Sequence, residues 1–288
     1  MDLSSQKEKT KQNKSNNSNL ENIKSDYILK QIFDKLQKKK ALLIIVYNKM
    51  AQKKVNIGLK DYIELSKVEI EIIPVKNRSG IFINIPYKIY ESYYHIYFND
   101  SIEETKRNQL NENDDIWKIK VVIDRQMTTY FNLFKDCNNI KSVKFKIFPL
   151  FDIYKLDHMF SRCSSLIEVD LSKFKTGNVT DMSYMFQDCK SLKKVNLSGF
   201  ITDNVTDMTS MFKGCSSLEE LNLNNFNNKN VKNMNSMFSK CYSLKELNIS
   251  CFTFNLDTDI NFMFFQCSDE LIKKIRSSYN IEDDAFYY

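Results

Sequence analysis

Seven of the 288 residues are cysteines and two are histidines, the side chains that serve most often as nucleophiles, general bases and metal ligands. Six of the cysteines stand at positions 137, 163, 189, 215, 241 and 267, always 26 apart. A metal or redox pair needs two thiols within a few residues, as in C-x-x-C, and no such spacing occurs. A constant interval instead puts every cysteine at one recurring structural position, where a small buried hydrophobe is expected. Cys251 alone is out of register, at the end of a strand. His95 and His158 have no Cys or carboxylate at catalytic or ligand spacing, and His158 takes the place of Tyr184, Ser210 and Ser236 in other units, an outward position. The five glycines, at 58, 80, 177, 199 and 214, form no phosphate-cradling loop, and no G-x-S-x-G, H-E-x-x-H or G-K-[ST] string occurs. These patterns speak against an enzyme, and no cofactor or metal is expected.

The interval of 26 belongs to a repeat. Phenylalanines keep it at 134, 160, 186, 212, 238 and 264, and a second series runs at 148, 174, 200, 226 and 252. Within one unit Val205, Met208, Met211, Phe212 and Cys215 fall at offsets 0, 3, 6, 7 and 10, which predicts a helix of about three turns, with Thr206 or Asn204 at its cap and Asp207 at its positive end. Leu218, Leu221 and Leu223 follow as L-x-x-L-x-L, a short strand with one face buried. Neither stripe can be covered within a single unit, so the units must stack on copies of themselves. Stacking aligns Val143, Val169, Val195, Leu221 and Leu247 in one ladder and Phe145, Leu171, Leu197, Leu223 and Ile249 in another. The last unit decays, and Leu271, Ile272 and Ile275 predict an amphipathic closing helix. The acidic-aromatic tail, residues 282–288, is expected to be loose, though its aromatics are able to pack back on the cap.

The strand L-x-x-L-x-L after M-F-x-x-C-x-S-L resembles leucine-rich repeats of the BspA type, in particular the 26-residue repeat N-V-x-x-M-x-x-M-F-x-x-C-x-S-L-x-x-L-x-L-x-x-F of mycoplasma and protist surface proteins. It covers about residues 126–267. The resemblance implies a right-handed solenoid of α/β class, with parallel strands on one face and short helices on the other, and it implies no reaction. A tail at 1–25, an α+β N-terminal domain at 26–125, the solenoid at 126–267 and a cap at 268–288 complete the expected organisation.

In the N-terminal domain Ile28, Leu29, Ile32, Phe33 and Leu36 share one helical face, and Leu42 to Met50 gives a second apolar helix. The string from Ile28 to Lys49 resembles the F-box, a module that docks a protein onto the Skp-type adaptor of a ubiquitin ligase. Ser25-Asp26 stands where that module has Leu-Pro, and its Trp is absent. Val68 to Val75 and Ile81 to Pro86 predict a β-hairpin, Tyr93 to Phe98 and Trp117 to Ile123 further strands. Trp117 and Ile119 precede Val143 and Phe145 by 26, so the last strand is expected to pair with the first repeat.

Charge is uneven. The net of +6 lies in residues 1–125, with 23 basic and 17 acidic side chains, while residues 126–288 hold 19 of each. A neutral repeat region excludes a basic nucleic-acid stripe. The longest apolar run, Ala41 to Tyr47, has seven residues, too few to span a bilayer. With no apolar h-region in the first 25 residues, an intracellular, cytoplasmic address is expected. The sequons at Asn178, Asn196, Asn204 and Asn248 are by-products of the repeat.

What remains is the outward side of the repeat strands: Lys144, Asp170, Asn196, Asn222 and Asn248, flanked by Glu168, Lys194, Glu220 and Glu246. This polar row is the expected surface for a protein partner, although stacked Asn side chains equally suit hydrogen bonding along the sheet. The expected functions are an intracellular protein-binding scaffold, a ubiquitin-ligase substrate adaptor or a surface attachment protein.

Overall fold

The computed structural model describes residues 66–288 apart from 126, 149–151, 255–256 and 288, and these form one compact unit. Ile28, Leu29, Ile32, Phe33 and Leu36, the expected ligase-docking residues, lie outside the described residues. The fold is mixed α/β, dominated by strands, and its sheets stay open among the described residues.

Strands β1 (Val68–Pro74), β2 (Gly80–Ile81), β3 (Tyr94–Phe98), β4 (Glu104–Thr105), β5 (Gln109–Leu110) and β6 (Ile119–Ile123) precede the repeats. The repeat strands are β7 (Ile140–Ile147), β8 (Glu168–Asp170), β9 (Lys194–Asn196), β10 (Glu220–Asn222) and β11 (Glu246–Asn248). Seven strands run in the order β4-β3-β6-β1-β7-β8-β9, so one sheet continues from the N-terminal part into the repeats. β1 alternates buried and half-buried residues because it carries Val68, Ile70 and Ile72 into the core and Glu69 and Glu71 toward solvent.

Two expectations are corrected here. β1 does not fold back as a hairpin on the segment after it; it pairs antiparallel with β6 and with β7, while β2 pairs with β5. β6 therefore meets β1 and β3, and the first repeat strand is covered by β1 instead. The physical reason is burial: β1 is apolar on alternate positions over its whole length, and only a central place between two strands pairs both of its edges.

The ladder that begins at Val143 forms in two parts, with a break between Val195 and Leu221. Val143 aligns with Val169 and Val169 with Val195, all in parallel, and Leu221 aligns with Leu247. Between β9 and β10 the ladder is interrupted, and β10 and β11 form a sheet of their own. The coils stay joined there through the Asn225 side chain, whose Nδ2 donates to the carbonyls of Leu197 (3.2 Å) and Phe200 (2.9 Å), and through the bridge between Asp181 and Asp207.

The predicted helices do not form. From Met182 to Cys189 the chain makes consecutive tight turns: Gln187 and Cys189 donate their amides to carbonyls three residues back, at 3.1 Å each. The intervening amides of Met182, Tyr184, Phe186 and Asp188 cross to Asp207, Thr209, Met211 and Lys213 of the next coil, at 2.7–3.0 Å. Two residues per coil take the left-handed conformation, Tyr184 and Asp188 here and Ser236 and Lys240 two coils on. Space explains this. The Phe134, Phe160, Phe186, Phe212, Phe238 and Phe264 rings stack at 5.1–6.0 Å from coil to coil, whereas an α-helix is about 10 Å wide. Turns of about three residues keep the apolar side chains at helix-like offsets and still let neighbouring coils share hydrogen bonds. Asp207 and Asn204 accordingly act otherwise than as helix caps: Asp207 Oδ1 accepts the Thr209 amide at 2.8 Å, and Asn204 Nδ2 donates to the Gly177 carbonyl.

The closing helix forms as α1 (Asp269–Ser278), with the Ser268 hydroxyl accepting the Leu271 amide and with Leu271 and Ile275 buried. The tail is not loose. Amides of Phe262 and Phe264 donate to Asp284 and Ala285, and Phe286 is buried with its ring stacked on Phe264 at 5.5 Å. It supplies a seventh ring to the column and covers an end that would otherwise expose it.

Candidate binding face

The cysteine column is built for packing. All six in-register thiols are buried and free. Cys163, Cys189, Cys215, Cys241 and Cys267 each donate from Sγ to the carbonyl of the phenylalanine 29 residues earlier, at 2.9–3.2 Å. The Phe186 carbonyl thus accepts both the Cys189 amide and the Cys215 thiol. A thiol fits because it is apolar enough for the core and still satisfies a second lone pair. Burial pushes the Cys163, Cys189, Cys215 and Cys241 thiols far above the ordinary thiol range, and Cys267 to about 12, so all are poor nucleophiles. Cys251 is exposed.

The histidines are placed differently from one another. His158 sits in a left-handed turn with its ring stacked on Tyr184 at 4.7 Å, and burial, then Lys135, hold its pKa below the ordinary value. His95 is found between two carboxylates, with Nδ1 3.1 Å from Glu104 and Nε2 3.2 Å from Asp124. Sequence spacing misses this because the carboxylates come from β4 and from the end of β6, which only the β3–β4 and β3–β6 pairings bring together. The two carboxylates face opposite ring nitrogens. No group of three His, Cys, Asp or Glu among the described residues is arranged to hold a metal ion.

The outward strand face gathers every one of the sequence-predicted partner residues. Lys144 aligns with Asp170, Asp170 with Asn196, Glu168 with Lys194, Glu220 with Glu246 and Asn222 with Asn248. Four of the five residues at the centre of the row also have a structural task. Oδ1 of Asp170, Asn196, Asn222 and Asn248 accepts the amide two residues on, from Ser172, Ser198, Asn224 and Ser250, at 3.0–3.2 Å. This Asx turn ends each strand after three residues. Burial works to raise the Asp170 carboxyl, yet the Ser172 hydroxyl and amide, with Lys144 and Lys173, hold it below the ordinary carboxylate value. The amide groups of Asn196, Asn222 and Asn248 keep donors that engage no described group.

Charges on this face alternate from strand to strand. Lys118 and Lys120 of and beside β6 face Glu69 and Glu71 of β1, and Lys146 of β7 lies 3.1 Å from Glu71. Cross-strand pairs of this kind stabilise a sheet. The pattern breaks at the far end, where Glu220 and Glu246 stand directly opposite each other and only Glu246 has an ion-pair partner among the described residues, Lys274 of α1. There a groove of about 620 Å³ opens across β9, β10 and β11, lined by Lys194, Asn196, Glu220, Asn222, Glu246 and Asn248 among others.

Residues 154–278 match the family model described as "Mycoplasma protein of unknown function, DUF285". The match is to a family defined by sequence. It begins in the second coil and ends at the last residue of α1, so it takes in the stacked coils and leaves out β1 to β7. No curated protein and no solved structure matches the chain. Among the described residues no helix is long and apolar enough to cross a membrane.

Proposed function

We propose that this chain is a non-catalytic leucine-rich-repeat protein of the BspA type, an intracellular scaffold whose outward strand face binds another protein. One observation carries the reading: six polar side chains of β9, β10 and β11 line one groove, with amide donors unengaged and Glu220 set against Glu246. Like charges held in register cost stability, and a partner's cation or donor placed over them would relieve that cost. Six of the seven thiols are buried in the core.

The test is affinity capture with the full chain at physiological salt, beside Glu220→Lys. That substitution relieves the like-charge pair and leaves the coil stack intact, so partners are expected to bind the original chain and to be lost from the variant at a thermal stability equal to or slightly above the original. Identical capture by both, or turnover of a metabolite with no protein retained, would overturn the reading.

A second reading, a substrate adaptor of a ubiquitin ligase, is supported by the F-box-like pattern of Ile28, Leu29, Ile32, Phe33 and Leu36. It expects co-purification with a Skp-like protein, abolished by Ile32→Asp or Leu36→Asp.

A further inference from the structure

We propose that the aromatic patch around Arg125 is a docking site, separate from the strand face, for a carboxylate-bearing segment of a partner protein. The 3₁₀ helix Lys88–Tyr93 buries none of its residues. Ile89 is 74% exposed, Tyr87 65% and Tyr93 41%, and the Tyr87 and Tyr90 rings meet edge to face at 5.6 Å. An exposed cluster of this composition is where interfaces draw their binding energy.

Arg125 organises the patch. It follows β6, and the pairing of Tyr94 with Ile123, together with the Asp124 amide donating to the Tyr93 carbonyl at 3.2 Å, brings it beside the 3₁₀ helix. Its guanidinium lies 3.7 Å from the Tyr90 ring centre and 5.5 Å from that of Tyr93. Cation–π contact holds the planar group by its face and leaves the in-plane N–H donors at its edge. Arg125 makes no hydrogen bond or ion pair with any described residue, and the adjacent Asp124 is turned to His95 Nε2 instead.

A flat, pre-oriented guanidinium edge matches a carboxylate through two parallel hydrogen bonds. The local charge favours a monoanion over a phosphate dianion, because Asp124 precedes Arg125 in the chain and the neighbouring 3₁₀ helix carries Glu91 with a single basic residue, Lys88. Ile89 and Tyr87 would take an apolar side chain beside the carboxylate. None of this depends on the strand face.

The test is nuclear magnetic resonance of the isotope-labelled full chain with the peptide acetyl-Leu-Glu-Phe-Asp-amide, against acetyl-Leu-Gln-Phe-Asn-amide. The acidic peptide is expected to shift the Arg125 Nε–H signal and the amides of residues 87–93, and the neutral one to bind at least about tenfold more weakly. Arg125→Lys, which keeps the charge and loses the fork, and the exposed Ile89→Ser are each expected to weaken binding about tenfold with melting unchanged. Equal shifts from both peptides, an unmoved Arg125 signal at about 5 mM acidic peptide, or full affinity in Arg125→Lys would overturn the proposal.

Discussion

Gly199 shows how close the coils lie: a Cβ built there would stand 2.2 Å from the Ser172 carbonyl oxygen of the preceding coil. Gly199→Ala is therefore expected to cost about 1–3 kcal/mol in urea unfolding, although Lys173 and Asn225 carry full side chains at the same place in neighbouring coils. Asp157 presents the opposite case. It is buried, its Oδ1 has no partner, and burial first, then Asp181, hold its carboxyl above the ordinary value of 3.8. The charged form thus burdens the folded state in full above the raised pKa and ceases to do so below 3.8, so stability is gained as pH falls through that window. Asp157→Asn, which copies Asn235 and Asn261 three and four coils on, is expected to raise the melting temperature by about 2 °C at neutral pH. The gain should vanish near pH 3. Thiol titration of the native chain is expected to modify Cys251 alone, with all seven thiols reacting in denaturant, because six are buried.

The turn segments make the sharpest demand at the level of elements. Lys240 is exposed and left-handed, and Gly214 already fills the equivalent place one coil earlier. In a helix, Lys240→Gly would cost about 1 kcal/mol; in the observed turn it is expected to be neutral or stabilising by a few tenths to about 1 kcal/mol. Phe286→Ala, at the end of the ring column, is expected to cost about 3–5 kcal/mol and to loosen the last coil first. The strands were legible from L-x-x-L-x-L because alternation has a period that no other element shares. The turns were not, since three-residue turns place Val205, Met208 and Met211 on the same stripe a helix would. The place of β1 was hidden for a different reason: its partners β6 and β7 lie about 50 and 70 residues away in sequence. The carboxylates on either side of His95 are nearer in sequence, yet only the pairing of β3 with β4 and β6 brings them to its ring. Arg125 and Tyr90 were too far apart to be associated by spacing.

Taken whole, the described part of the molecule is a stack of coils with six thiols buried in its core and a polar strand face left outward. That face was legible residue by residue from the interval of 26, down to Lys194, Glu220 and Glu246. Its groove was not, because it arises where the ladder between β9 and β10 is interrupted and where Glu220 meets Glu246, consequences of three-dimensional register. Photocrosslinking in a lysate of the source cells tests the central claim most directly, with a benzoylphenylalanine placed at Ser198, exposed in the lining of the groove, or at Tyr242 on the exposed turn side. A discrete crosslinked protein is expected from position 198 and none from position 242. Crosslinks from 242 with none from 198 would contradict the account.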